Sequence, residues 1–541
     1  MYETAARWID TTLIDLARQV RWTFLPPLMI YFAAGIAGLT AIVGTFFVKE
    51  YLGLSAEFLA GLAFWAGLPW ALKMPLGHLV DLIWRWKYLL VFLGAGLIAL
   101  SLAIMYLLIT NTIWMTEYLT IEAWYVMSAL LAPSGYVIQD AVADAMSVEA
   151  VPRTDASGNL LPEPEAKALH TTMQTLGRFA LIFGIVAVAL LNIFMFSGVE
   201  MMTDSEKAVL YARIYLLALF IPAISISGVL LAVIQNHVQR RRFANRDDPI
   251  HHDQVRGEET GPFAVNHWYF TGGAVFVVFT MAIGISDMPL AQEVVFTGSM
   301  AIVLFLMRQL LKKLEPEKAR ALVGTAVIIF VFRAVPLPGP GATWFEIDVL
   351  GFDQRFLSVL YLISSSLALV GMVLLRPLMA TRPITFIVIV LTIAAGILSL
   401  PNIGLYYGIH NITEAYTDGI VDARFIAIMD AAIESPLGQI AMIPMLAWIA
   451  RNAPDDLKAT FFAVMASFTN LALSASSLAT KYLNQVFIVT REVRDRLTGH
   501  VQIQADYSEL GLLLITVTTL TVLLPLLTIA VVQRTVFITR E

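Results

Sequence analysis

The chain has 541 residues, 58% of them hydrophobic and only 14% charged, with a net charge of −6. Soluble proteins carry roughly 25% charged residues, so the composition excludes an ordinary soluble domain and points to an all-α polytopic membrane protein. No basic run with interleaved aromatics offers a nucleic-acid surface, and the absence of cysteine excludes disulfides, thiolate metal sites and cysteine nucleophiles.

In chain order, residues 1–22 place Trp8, Ile9, Leu13, Leu16 and Val20 at helical spacing, with Arg7, Asp10, Asp15 and Arg18 between them. That pattern predicts an amphipathic helix at the membrane interface rather than a cleaved signal peptide. A membrane crossing needs about 20 mainly apolar residues. Such stretches fall at 23–48, 56–80, 87–109, 121–147, 170–196, 208–235, 268–286, 290–311, 321–338, 356–379, 384–407, 419–450, 458–485 and 510–533, fourteen in all.

The longest polar break in the middle, 236–267, is basic at its start and poor in apolar residues, as a cytoplasmic linker would be. The expected organisation is an N-terminal six-helix bundle (23–235), this linker, an additional transmembrane hairpin with its loop (268–320) and a C-terminal six-helix bundle (321–541). Two six-helix bundles plus a two-helix hairpin suit a two-bundle transporter. Lys and Arg concentrate in alternate loops, which puts both termini in the cytoplasm. The outside loops hold few cations: Lys49, Lys207, Arg355, Arg424 and a small cluster at Arg491, Arg494 and Arg496.

Ionisable residues inside spans are costly and mark cavities or partners. Here they are Lys73, Asp140, Asp144, Arg178, Arg333, Asp430, Glu434 and Lys481. Asp140 and Asp144 are i, i+4 and lie on nearly one helix face, ~6 Å apart along the axis. Glu149 lies at the cytoplasmic mouth. Asp430 and Glu434 repeat the spacing in the other half, at a different depth. The acidic pair on the fourth span either fixes packing by pairing with Arg178 or takes up a proton, since burial and a like charge both favour the neutral carboxyl. Arg178 and Arg333 are candidates to balance an anionic substrate.

The loop after the second span, "PWALKMPLGHLVDLIWRWKYLL" (69–90), contains Gly77 and Asp81 as G-x-x-x-D, followed by Arg85 and Lys87. It resembles the signature loop of the major facilitator superfamily. Gly77 would permit close helix packing, Asp81 would stabilise a neighbouring helix start, and the cations would pair with acids across the bundle interface in one transport state.

A more specific resemblance covers most of the chain outside 236–320. "PW" at 69–70 with "KMPLGHLVD" at 73–81, "DAVADAMSVEA" at 140–150, "LGFDQRFL" at 350–357 and "PDDLKATFFAVMASFTNLA" at 454–472 resemble, in order, four motifs of the folate–biopterin transporter family. The departures are Met74 inside the family's K-P step, Lys458 in place of an acid, and the added hairpin. The resemblance implies a major facilitator fold and a secondary active transporter in a bacterial inner membrane. It also implies a pterin- or folate-like anion as substrate, with protons as the coupling ion. The alternative is a non-transporting assembly or pigment-carrier protein on the same scaffold, with the hairpin docking a protein partner. No enzyme, cofactor or metal is expected. His251 and His252 lack spaced partner ligands, and neither a Walker loop nor a G-x-S-x-G elbow is present.

Overall fold

The structure, a computed structural model, describes residues 21–71, 73–83, 86–151, 162–244, 267–285, 288–312, 314–374, 383–433, 458–494 and 501–538. The first half contains α1 (Leu25–Gly35), α2 (Ala41–Tyr51), α3 (Ala56–Ala71), α4 (Lys73–Leu82), α5 (Lys87–Thr110), α6 (Thr112–Thr116), α7 (Ile121–Glu149), α8 (Glu163–Met195), α9 (Asp204–Ala218) and α10 (Phe220–Ala244). A hairpin follows, α11 (His267–Ile285) and α12 (Ala291–Leu311). The second half contains α13 (Pro316–Arg333), α14 (Pro340–Asp348), α15 (Gln354–Leu374), α16 (Ile384–Tyr406) and α17 (Ile409–Tyr416). It continues with α18 (423–433), α19 (Lys458–Val486) and α20 (Leu510–Val532). Between α19 and α20, β1 (Val493–Arg494) and β2 (Val501–Ile503) form a small antiparallel pair.

Helix lies at each expected span, the tenth and twelfth only in part because 375–379 and 434–450 are outside the described residues. Among the described residues nine helical stretches are long and apolar enough to cross a membrane. The expected count of fourteen is thus not confirmed by length and composition among the described residues. α3, for example, is too short alone, and the next helix carries Lys73 and Asp81. The proposed interfacial helix at 1–22 falls almost wholly outside the described residues.

Three boundaries differ from the sequence expectation for identifiable reasons. α10 runs on through "NHVQRRRFA" to Ala244, into the stretch expected as linker. Hydropathy marks where apolar surface is needed, and a helix can continue past that point with polar side chains. The ninth span, expected at 321–338, ends at Arg333 and restarts as α14. Pro336, Pro338 and Pro340 remove three backbone donors there, and the residue before each is pushed out of the helical region. The first span is split by a 3-10 segment, Ile36–Thr40.

Small residues set the closest helix contacts. A Cβ on Gly35 would meet the Leu181 carbonyl oxygen at 2.0 Å, and one on Gly184 would meet the Phe32 carbonyl oxygen at 2.7 Å. α1 and α8 thus cross backbone to backbone, as small residues allow in lipid, where apolar burial alone does not drive helices together. The halves meet where α3 packs on α19 and α8 on α15, and the hairpin lies with α12 on α19 and α11 on α4. The largest apolar cluster crosses between the halves, with Phe46, Phe47, Leu52 and Tyr211 from the first and Phe352 and Phe356 from the second. These residues lie at the end of the bundle that the Lys/Arg bias predicts to be outer.

Candidate transport site

α7 begins with Thr120 as its N-cap, the side chain accepting from the Ala123 amide, and runs unbroken past the acidic stretch. Asp140 and Asp144 therefore project from adjacent turns toward α4 and α1. Lys73, the first residue of α4, lies between them: its Nζ is 2.5 Å from Asp140 Oδ2 and 2.7 Å from Asp144 Oδ2. Tyr31 on α1 donates its hydroxyl to Asp144 Oδ1 at 2.6 Å. Both carboxylates are thus fixed by one lysine. Asp144 keeps 41% of its side chain exposed, against 15% for Asp140. An acid within an apolar span needs a partner, and here Lys73 and Tyr31 supply it.

Arg178 is exposed on α8 and acts on the pair through space. The partner expected for the two acids was Arg178; the contact belongs to Lys73. The i, i+4 spacing announces the acidic face, but it cannot say which of several distant cations closes on it. Lys73 was visible only as a lone charge inside a span.

The opposite side of α7 carries a neutral polar layer. Gln139, 2% exposed, donates to the Val91 carbonyl at 3.2 Å and accepts from Ser225 Oγ at 3.0 Å. Glu149 pairs with Lys87, the first residue of α5, at 2.8 Å, and the lysine is buried. Lys87 therefore binds an acid within its own half. Gly77 lies on α4, where a Cβ would meet nothing within 4 Å among the described residues, so the close packing expected of this glycine is not found there. The side chain of Asp81, the whole of Arg85 and Glu434 lie outside the described residues.

In the second half, Arg333 ends α13 and is half-buried. Asp430 on α18 is buried, and its Oδ2 accepts from Asn402 Nδ2 at 3.0 Å. The sequence reading missed a third carboxyl beside it. Glu346 on α14 lines a cavity of about 200 Å³ with Phe345, Asn402, Leu405, Leu510 and Leu514, and the charge of Asp430 reaches it. α14 lies outside the nine spans, and burial there pushes the Glu346 carboxyl up to about 7, with Asp430 adding to the effect. Being assigned to an outside loop hid it.

The predicted outer end is closed by polar contacts between the halves. Arg491, 2% exposed in the connection between α19 and β1, donates Nε to the Lys49 carbonyl at 2.9 Å and Nη1 to that of Leu54 at 2.8 Å. Its Nη2 donates to the Val48 carbonyl at 2.7 Å and also to that of Leu52. Val48 and Lys49 lie in the last turn of α2, where carbonyls run short of intrahelical donors, and Leu52 and Leu54 lie just beyond it, so Arg491 clasps the end of α2 and the chain after it from the other half of the molecule. Its guanidinium stacks 4.2 Å over the buried Trp344 ring. Burial pulls it down to about 10, so it stays a cation at neutral pH. Beside it, Lys49 pairs with Asp348, which also accepts from Tyr507 at 2.6 Å. Gln354 donates to the Tyr211 hydroxyl at 2.8 Å, a further link between halves.

The hairpin is tied at the same end. Glu293, at the start of α12, accepts from Tyr482 at 2.5 Å and pairs with Lys481 at 3.1 Å on α19. Gln292 donates to the Gly61 carbonyl on α3 at 3.0 Å.

The fold has known counterparts. The fold is similar to that of a POT family transporter solved in complex with 5-aminolevulinic acid, with a TM-score of 0.59 and 12% identity over 95% of this chain and 96% of that one. It is also similar to a mutant of the nucleoside transporter NupG, with a TM-score of 0.53 and 12% identity over 94% and 98% of the two chains. Likeness at this identity bears on the fold alone, which is the major facilitator architecture. In sequence, the chain is 24% identical over 514 residues to the folate-biopterin transporter of Synechocystis sp. (strain ATCC 27184 / PCC 6803 / Kazusa), covering 93% of this chain and 80% of that one. A profile of the BT1 family matches residues 34–539. With nearly its whole length matched, this multi-pass membrane protein belongs to the BT1 family of transporters.

Proposed function

We propose that the chain is a secondary transporter working by alternating access, and that it carries a pterin- or folate-like organic anion together with protons. The location we assign is a bacterial inner membrane, with both termini in the cytoplasm. The observation that carries this reading is the placement of Lys73. It holds two carboxylates at once in a partly exposed site within the first half.

Two carboxylates, Lys73 and the nearby Arg178 sum to zero charge. A proton arriving on Asp140 or Asp144 leaves Lys73 with one acid fewer to neutralise, and its ammonium can then meet a carboxylate of the substrate. Loss of the proton returns Lys73 to the acidic pair and expels the anion. Substrate and proton are linked because they change the charge around one ammonium in opposite senses. Arg178 and Arg333 are the further cations proposed to face the anion, and Asp430 and Glu434 the acids proposed for the second half. Gly77, Asp81, Arg85 and Lys87 are proposed to act in the gate at the inner end.

Alternating access is supported by the polar part of the outer closure, which beside the apolar cluster consists of hydrogen bonds and, among the described residues, the Lys49–Asp348 ion pair. Water can replace those partners when the halves rock apart, so the closure is reversible. The assembly-protein alternative gains no observation, since the polar groups at the start of α12 are taken by α3 and α19 of the same chain.

The test is counterflow in proteoliposomes. Vesicles loaded with unlabelled compound are expected to take up labelled pterin or folate with no gradient applied. Failure across pterins and folates alike would remove that substrate class. Uptake of some other organic anion would leave the carrier reading in place.

A further inference from the structure

α14 places three functional groups on nine residues. Trp344 and Asp348 are i, i+4 and share one face. That face is the outer closure: Trp344 stacks on Arg491, and Asp348 holds Lys49 and Tyr507. Glu346 lies between them in sequence and points the other way, into the cavity that Asn402, Leu405 and Leu510 also line. A short helix with a closure on one face and a carboxyl in a cavity on the other is built to transmit the state of the carboxyl to the closure.

The surroundings of Glu346 favour a change of protonation. α20 brings only Leu510 and Leu514 to the cavity, and α16 brings neutral Asn402 and, nearby, Tyr406. α18 brings the carboxyl of Asp430, and α15 brings Tyr361, whose hydroxyl feels the charge of Glu346. Asp348 on α14 itself is engaged by Lys49 and Tyr507, and Glu57 at the start of α3 accepts from Gln485. A proton on Asp140 or Asp144 removes a charge that is paired with Lys73. Among the described residues no ion pair holds Glu346, so its protonation surrenders none there.

We propose that Glu346 is a second protonation site and that its state controls the outer gate. Protonated, it sits neutral in the apolar cavity and α14 holds the closure. Deprotonated, its charge lies beside Asp430 in a poorly solvated cavity, and the strain is relieved when α14 moves and water enters. The proton passes from the carboxyl to that water. This rests on the alternating-access reading but not on the identity of the substrate.

The chain has no cysteine, so spin labels can be placed at will. Gly53→Cys in the first half and Ile488→Cys in the second put labels at two exposed positions flanking the closure. Pulsed electron–electron distances would be measured on the full chain in lipid from pH 5 to 9. The expected result is a shift toward longer distances as pH rises, with a midpoint near 7. Glu346→Gln is expected to stay at the short distance throughout. Asp430→Asn is expected to keep the shift but move its midpoint to lower pH, because removing a neighbouring acid makes Glu346 easier to ionise. A purely structural role for Glu346 would not produce that second effect. A wild-type distance that does not change with pH, or a shift that survives Glu346→Gln, would overturn the proposal. Absence of solute uptake alongside an intact pH shift would count instead against the transport reading.

Discussion

Arg491→Ala removes the single side chain that joins the two halves through four carbonyls. In the closed state the carbonyls of Lys49, Leu52 and Leu54 lose this donor, while that of Val48 keeps the Leu52 amide. An unsatisfied buried group costs ~1–3 kcal/mol. Hydrogen bonds made by a charged group contribute ~1.5–3 kcal/mol each, and the lost stacking on Trp344 adds to this. In the open state water serves both the guanidinium and the carbonyls, so the substitution costs little there. The difference, ~3 kcal/mol after water enters part of the vacated space, is worth roughly 150-fold in the ratio of open to closed forms. Val489 is 3% exposed in the closed structure, so the rate at which a maleimide labels Val489→Cys reports the open fraction. Labelling is expected to rise at least tenfold with Arg491→Ala and less with Arg491→Lys, which keeps the charge but lacks the planar fork. A labelling rate within about twofold of the parent would refute the idea that Arg491 holds the halves together.

Lys73→Gln leaves Asp140 and Asp144 facing each other with no bridging ammonium, so melting in detergent should fall by ~2–3 kcal/mol, discounted for the part-exposed site. Adding Asp140→Asn to that variant should recover part of the loss while uptake stays abolished. Gly184→Ala should destabilise by ~1–3 kcal/mol because the new methyl meets the Phe32 carbonyl oxygen at 2.7 Å. Gly77→Ala, where a Cβ meets nothing within 4 Å among the described residues, should melt like the parent. Glu346 is raised from 4.5 to about 7 in the folded chain, so the folded state binds more protons than the unfolded one across that window. Its contribution is fully present below about 4.5 and is lost as pH rises through about 7. The melting temperature should therefore fall with rising pH over that interval, and Glu346→Gln should flatten this part of the profile.

Much of the architecture was legible because lipid imposes a simple rule. Long apolar runs must be helices, and the Lys/Arg bias between loops predicts their direction. What the rule misses is where backbone chemistry overrides hydropathy. The prolines at 336, 338 and 340 break a span whose composition reads as continuous. The acidic face of α7 was legible from its spacing. Its counter-ion was not, since Lys73 reaches Asp140 across 67 residues, and Arg178 lies closer in sequence. Arg491 was noticed only as an exception to the loop-charge bias. Nothing in its neighbours "VTREVR" shows that its acceptors are carbonyls at 48–54, because backbone acceptors leave no mark in a sequence. Glu346 was hidden for a related reason, since a lone acid in a loop becomes informative only when the cavity and Asp430 close around it.

The central claim, a proton-linked carrier organised around Lys73, is tested most directly by accumulation in proteoliposomes under an imposed pH gradient. Labelled pterin or folate should rise inside above its outside concentration when the outside is acidic, collapse on adding a protonophore, and fail to rise with Lys73→Gln. Uptake that reaches only equilibrium, indifferent to the gradient and to the protonophore, would contradict the account.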